Sequence, residues 1–101
     1  MDISGGEVFR WLVNVPLSDA ASVLIGCELD DGEADELLPI VGVNAERKCL
    51  VVELGYKRKH VPLRNLREGM VVDDRPGTPL RHEIDASKTP AQQQLENAQH
   101  R

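Results

Sequence analysis

Between Ile40 and Val72 the chain passes through four short aliphatic stretches, none longer than six residues: Ile40-Val41-Gly42-Val43, Cys49-Leu50-Val51-Val52-Glu53-Leu54, His60-Val61-Pro62-Leu63 and Met70-Val71-Val72. Polar or glycine-containing connections of five or six residues separate them. Stretches this short and this rich in valine suit strands rather than helices, and the spacing suits successive hairpins. Asn44-Ala45-Glu46-Arg47-Lys48 is a hairpin-length connection, and Gly55-Tyr56-Lys57-Arg58-Lys59 is a second. Pro62 has no N–H to donate to a ladder, which makes its strand short or places it at an edge. Asn65-Leu66-Arg67-Glu68-Gly69 reads as a turn.

Two further alternations lie upstream. Phe9, Trp11, Val13 and Val15 share one face of a strand of period two that ends at Pro16. The capping-box spacing of Ser4-Gly5-Gly6-Glu7 offers a helix as the alternative for residues 5–15, against which the two glycines weigh. Val23, Ile25, Cys27 and Leu29 alternate again, and Asp30-Asp31-Gly32 ends them as turn chemistry. The expectation is a mainly β domain over residues 1–72, a small barrel or sandwich of five to six strands. With only Phe9, Trp11 and Tyr56 as aromatics, its core must be aliphatic. Residues 73–101 hold Pro76, Pro79, Pro90 and the run Gln92–Gln94, with Leu80, Ile84 and Leu95 as the only large aliphatics. That composition predicts a flexible, polar, disordered tail. Thr89-Pro90-Ala91-Gln92 carries a helix-start signal, but residues 90–99 are too short and too polar to hold a helix alone.

A chain of 101 residues fits one domain. It has no apolar run of eighteen residues and no basic-then-apolar leader, so the expectation is a cytoplasmic protein with no membrane span. Cys27 and Cys49 read as reduced, buried and inert thiols. The net charge of −5 conceals an asymmetry. Residues 1–40 carry nine acids and one base, whereas residues 41–67 carry two acids and seven bases. Bulk coating of nucleic acid is disfavoured, and a focused basic site is retained.

The segment Leu50 to Arg67 resembles the closing half of SH3-like small barrels of the Tudor type. In those a strand, a tight turn and a second strand end in a valine-x-leucine-x-x-leucine phrase, here Val61-Pro62-Leu63-Arg64-Asn65-Leu66. The likeness extends over residues 22–68, with Leu38-Pro39-Ile40-Val41-Gly42-Val43 where the long second strand of the family begins. It implies an SH3-like barrel that binds peptides or nucleic acid. Reading of methylated side chains needs several aromatic rings around one cation, which three aromatics cannot easily supply. A shorter likeness, over Val61 to Val72, is to the β-rich appendage found beside HD-type phosphodiesterase domains, without the HD metal motif. Plasmid-type dihydrofolate reductases also build on SH3-like barrels. Their valine-glutamine-isoleucine-tyrosine phrase is replaced here by Lys59-His60-Val61-Pro62, so that chemistry is not carried over.

The sharpest candidate site is the basic hairpin 56–67, comprising Tyr56, Lys57, Arg58, Lys59, His60, Arg64 and Arg67, with no acid between residues 54 and 67. Cations around an aromatic suit a phosphate backbone and a stacked base, or an acidic protein surface. The plainer reading is a solvated loop whose lysines protect an edge strand. The acids Asp30, Asp31, Glu33, Asp35 and Glu36 lack EF-hand spacing; they could keep a loop soluble, hold a hard cation, or mask the basic hairpin. No P-loop, GxGxxG, HExxH or GxSxG phrase occurs, and Cys49 with His60 has no third orienting group. The resulting expectation is a non-enzymatic interaction module with no cofactor or metal, contacting nucleic acid or an acidic protein surface. The alternative is a structural or adaptor protein that forms a homo-oligomer, such as a homodimer, by burying Phe9, Trp11, Val13 and Val15 at an interface, with the tail capturing a partner by folding on it.

Overall fold

Four of the aliphatic stretches become strands of one sheet in the computed structural model, which describes residues 1–33 and 35–88. The elements are β1 (Asp2–Ser4), α1 (Gly5–Asn14), α2 (Leu17–Leu24), β2 (Glu28–Asp30), β3 (Leu38–Asn44), β4 (Cys49–Leu54), β5 (Lys57–Pro62), a 3-10 turn (Leu63–Arg67), β6 (Met70–Val72) and α3 (Pro79–Ala86). All strands pair antiparallel in the order β1-β6-β2-β3-β4-β5, an open six-stranded sheet with β1 and β5 at its edges. Pro62 therefore ends an edge strand, where its missing N–H breaks no ladder.

The register explains how so little aromatic surface makes a core. Ile3 faces Val71, Val71 faces Leu29 and Leu29 faces Leu38, an aliphatic row across four strands that is essentially shielded from water. In the meander, Leu50 lies opposite both Val43 and Val61. A bulge between Ile40 and Gly42 bends β3 where it passes from β2 to β4.

Residues 9–15 are not a strand. Ser4 caps α1, its hydroxyl accepting from the Gly6 N–H at 3.2 Å. Val8 and Trp11 are buried, while Leu12 and Val15 pack against the core, which is helical spacing. Val13, inward on the strand reading, is 69% exposed. The glycine at position 5 is not a weakness but a requirement: a β-carbon there would lie 1.5 Å from the Leu66 carbonyl oxygen and 2.2 Å from that of Gly69. The expected strand over 22–29 is likewise corrected. Its first part belongs to α2, which buries Ala20 and Leu24, and only Glu28–Asp30 pairs as a strand.

Residues 73–88 belong to the fold as well. Asp73 is completely buried, and α3 places Leu80 and Ile84 in the core. Complete burial of an aliphatic side chain contributes roughly 1.5–3 kcal/mol, so α3 is a substantial part of a small domain's stability. The rest of the expected tail, residues 89–101 with Thr89-Pro90-Ala91-Gln92 and Leu95, lies outside the described residues. No helix among the described residues is long and apolar enough to cross a membrane.

Candidate interaction surfaces

The seven residues of the basic hairpin do not form one surface. β4 and β5 are joined by the two-residue loop Gly55-Tyr56, with Gly55 at φ +66°, the first-position glycine that a type II′ loop uses. Tyr56 is 99% exposed at this tip, and Lys57 and Arg58 beside it are exposed and join no ion pair among the described residues. Glu53 is directly across from Arg58 and offsets part of its charge.

Lys59 points elsewhere. Its ammonium donates to Asp31 at 3.1 Å and approaches Glu33 at 3.7 Å. This clasp spans the gap between the free edge of β5 and the end of β2. The hydrogen bond to Asp31, with the two negative charges, raises the Lys59 pKa from its ordinary value. Asp31 also accepts from the Glu33 N–H at 3.0 Å, and Asp30 from the Gly32 N–H at 3.0 Å, so part of the acidic loop is spent on its own backbone. The described residues contain no cluster of three or more metal-ligating side chains. His60 and Asn65 line a small cleft of about 310 Å³ along the clasp. Because Lys59 keeps 40% of its side chain in water although Asp31 keeps only 14%, Asp31→Asn is expected to cost about 1 kcal/mol. Urea denaturation would show that loss shrinking towards zero in about 1 M salt. A loss of several kcal/mol independent of salt would mean that the clasp holds the sheet edge in another way.

Arg64 and Arg67 lie on the 3-10 turn. Arg67 stacks its guanidinium 4.8 Å from the centre of the Phe9 ring. Arg64 stands at the rim of a half-open groove of about 890 Å³. The floor of this groove is apolar, with Phe9, Leu12 and Val13 from α1, Val15 and Leu17 from the corner between the helices, and Leu63 from the 3-10 turn. Arg47 and Lys48 from the β3–β4 loop complete its rim, and among the described residues no acidic side chain lines it. The sequence placed Arg47 and Lys48 in the basic block but read them as a connection. Only the fold of α1 brings an apolar face beside them.

A second charged cluster was not anticipated. The Asp73 carboxylate accepts from the Arg75 Nε at 2.9 Å, the Arg75 N–H at 3.2 Å and the Leu80 N–H at 2.7 Å, the last of these in the first turn of α3. Arg75 goes on to donate to the carbonyls of Ile25 and Val23 and to the Cys27 sulfur. Burial would raise the Asp73 carboxyl, but the hydrogen bonds from Arg75 and Leu80 outweigh it and hold the pKa below its ordinary value. Burial pushes the Cys27 thiol up to about 11, despite the nearby Arg75, so it is protonated and a poor nucleophile at neutral pH. Glu7 and Arg81 form a bidentate pair, at 3.2 and 2.8 Å, between α1 and α3. These groups hold helices in place rather than face a cleft.

No protein-family model, curated protein or solved structure matches this chain. Its surfaces alone carry its chemistry. They offer a cationic tip, a clasped seam and a basic-rimmed apolar groove.

Proposed function

We propose that this chain is a non-enzymatic interaction module on an SH3-like small barrel, and that the basic-rimmed groove contacts an acidic protein surface. Support for the barrel is the path of the chain. The β3-β4-β5 meander runs into the 3-10 turn at Leu63–Arg67, and β6 then returns to pair with β2, while Lys59 ties the free edge of β5 to Asp31 at the end of β2. The function rests on one observation: about 890 Å³ of apolar groove whose ionisable side chains, among the described residues, are Arg47, Lys48 and Arg64. A partner with apolar side chains flanked by carboxylates loses water from both and meets no like charge. Nucleic acid fits this floor less well, because Phe9 is the single aromatic ring in it and already carries Arg67.

Fluorescence anisotropy tests the reading with two probes, a labelled peptide of leucine and glutamate and a labelled single-stranded DNA. The peptide is expected to bind. Its affinity should fall about tenfold in an R47E/K48E/R64E variant, since exposed pairs contribute about 0.5 kcal/mol each. A K57E/R58E variant at the hairpin tip should bind it as the parent does. Tight DNA binding that disappears in the tip variant would replace this reading with a nucleic-acid module working through Tyr56, Lys57 and Arg58.

A further inference from the structure

We infer that the groove takes its partner as an amphipathic helix, with apolar side chains at i, i+3 or i+4 and i+7 on the floor and carboxylates towards the rim. The inference rests on the groove being the contact surface. What selects a helix is the state of the main chain in the walls. An extended peptide binds by adding a strand to an edge, which needs free N–H and C=O groups. Here Pro16 and Pro62 have no N–H, the Leu63 N–H is already bonded to the Lys48 carbonyl at 3.0 Å, and the Arg47 N–H to the Asn44 side chain at 3.1 Å. The Pro16 carbonyl accepts from the N–H groups of both Asp19 and Ala20. A strand in the groove would find no sheet edge to extend, and most of its peptide groups would be buried without partners, at a cost of about 1–3 kcal/mol for each. A polyproline segment needs a floor of several aromatic rings, and the groove has one. A helix satisfies its main chain internally and asks only for apolar contact. Val13, 69% exposed beside Leu12 and Phe9, leaves that contact open.

The charge pattern sets the flanks. Arg47 and Lys48 come from the β3–β4 loop, and Arg64 from the 3-10 turn that packs against α1. Acids on the shoulders of the helix meet these bases, and a basic amphipathic helix is repelled.

Three peptides of equal length distinguish the outcomes. One carries leucines at helical spacing between glutamates, the second is the same peptide broken by a central proline, and the third has lysine in place of glutamate. Binding by anisotropy and helicity by circular dichroism are measured together, with the intact chain and with V13E, which alters an exposed residue and should keep the parent's unfolding midpoint. The first peptide is expected to bind and gain helicity. The second and third should bind at least tenfold more weakly, and V13E should lose the first peptide. Equal binding of the first and second peptides would overturn the helical occupant and leave the interaction module standing. Binding by none would overturn both. A doubled mass in sedimentation that V13E abolishes would put a second copy of this chain in the groove instead, and would overturn the proposal.

Discussion

Replacing Gly5 with alanine is expected to destabilise the domain by about 4 kcal/mol, while the same change one residue later should stabilise it. Both glycines lie in the first turn of α1, where alanine is the better helix former by roughly 0.5–1 kcal/mol. At Gly6 the added methyl would meet only the Arg10 guanidinium at 3.4 Å and the Ser4 hydroxyl at 3.5 Å, so that gain should be realised. At Gly5 the methyl would enter the backbone of the 3-10 turn, 1.5 Å from the Leu66 oxygen. Relief requires α1 to move away, which breaks the Gly5 N–H bond to the Gly69 carbonyl at 2.7 Å. Overpacking typically costs about 1–3 kcal/mol and a buried unpaired peptide group about 1–3 more. Urea unfolding of the two variants beside the parent measures both signs. A Gly5→Ala protein within 1 kcal/mol of the parent would mean that α1 does not pack on the 3-10 turn as described.

Asp73→Ala should cost nearly as much, about 3 kcal/mol. It removes the partner of a guanidinium whose side chain is only 29% exposed, and it leaves the Leu80 N–H in the first turn of α3 without an acceptor. Loss of one member of a buried pair ranges over about 3–5 kcal/mol, and the partial exposure of Arg75 places this case at the lower end. Asp73→Asn keeps an acceptor and should cost less. The carboxyl also sets an acid limit. Its pKa in the folded chain lies below the ordinary 3.8, so the folded state binds fewer protons than the unfolded chain in that range. Its contribution is complete above about pH 4 and is lost as pH falls through the folded value. Glu7, held below 4.5 chiefly by its hydrogen bond from Arg81, acts in the same direction. Stability measured from pH 7 to pH 3 should drop at the acid end in the parent and drop less in Asp73→Asn. Parallel curves for the two proteins would show that Asp73 is not the titrating group.

The meander was legible because its information is local. β3, β4 and β5 are each bounded by turn residues and pair with their sequence neighbours, so period and punctuation suffice. α1 was not, because its residues satisfy two periods at once. Phe9, Trp11, Val13 and Val15 alternate, whereas Val8, Trp11, Leu12 and Val15 follow a helix, and only the position of the 3-10 turn decides between them. α3 was hidden by composition. Two aliphatics at i, i+4, Leu80 and Ile84, are enough when Arg81 and Asp73 supply the remaining attachments, and polar attachments look like tail. The candidate site was half legible. The basic block was evident, but contiguity in sequence is not contiguity on a surface. Lys59 on β5 was drawn to Asp31, while Arg64, carried past the end of the strand on the 3-10 turn, lines the same groove as Arg47 and Lys48.

The contacts that join the two ends of this fold also impose an order in time. Ile3 pairs with Val71, Gly5 bonds to Gly69, and Glu7 grips Arg81, so each of the first elements needs a partner more than sixty residues downstream. During synthesis the meander can form from neighbouring hairpins, but the amino-terminal helix has nothing to close on until the 3-10 turn and β6 have left the ribosome. The groove that α1 walls comes into being with that last step. A nascent or truncated chain that has made only its meander would still lack the surface on which a partner could land.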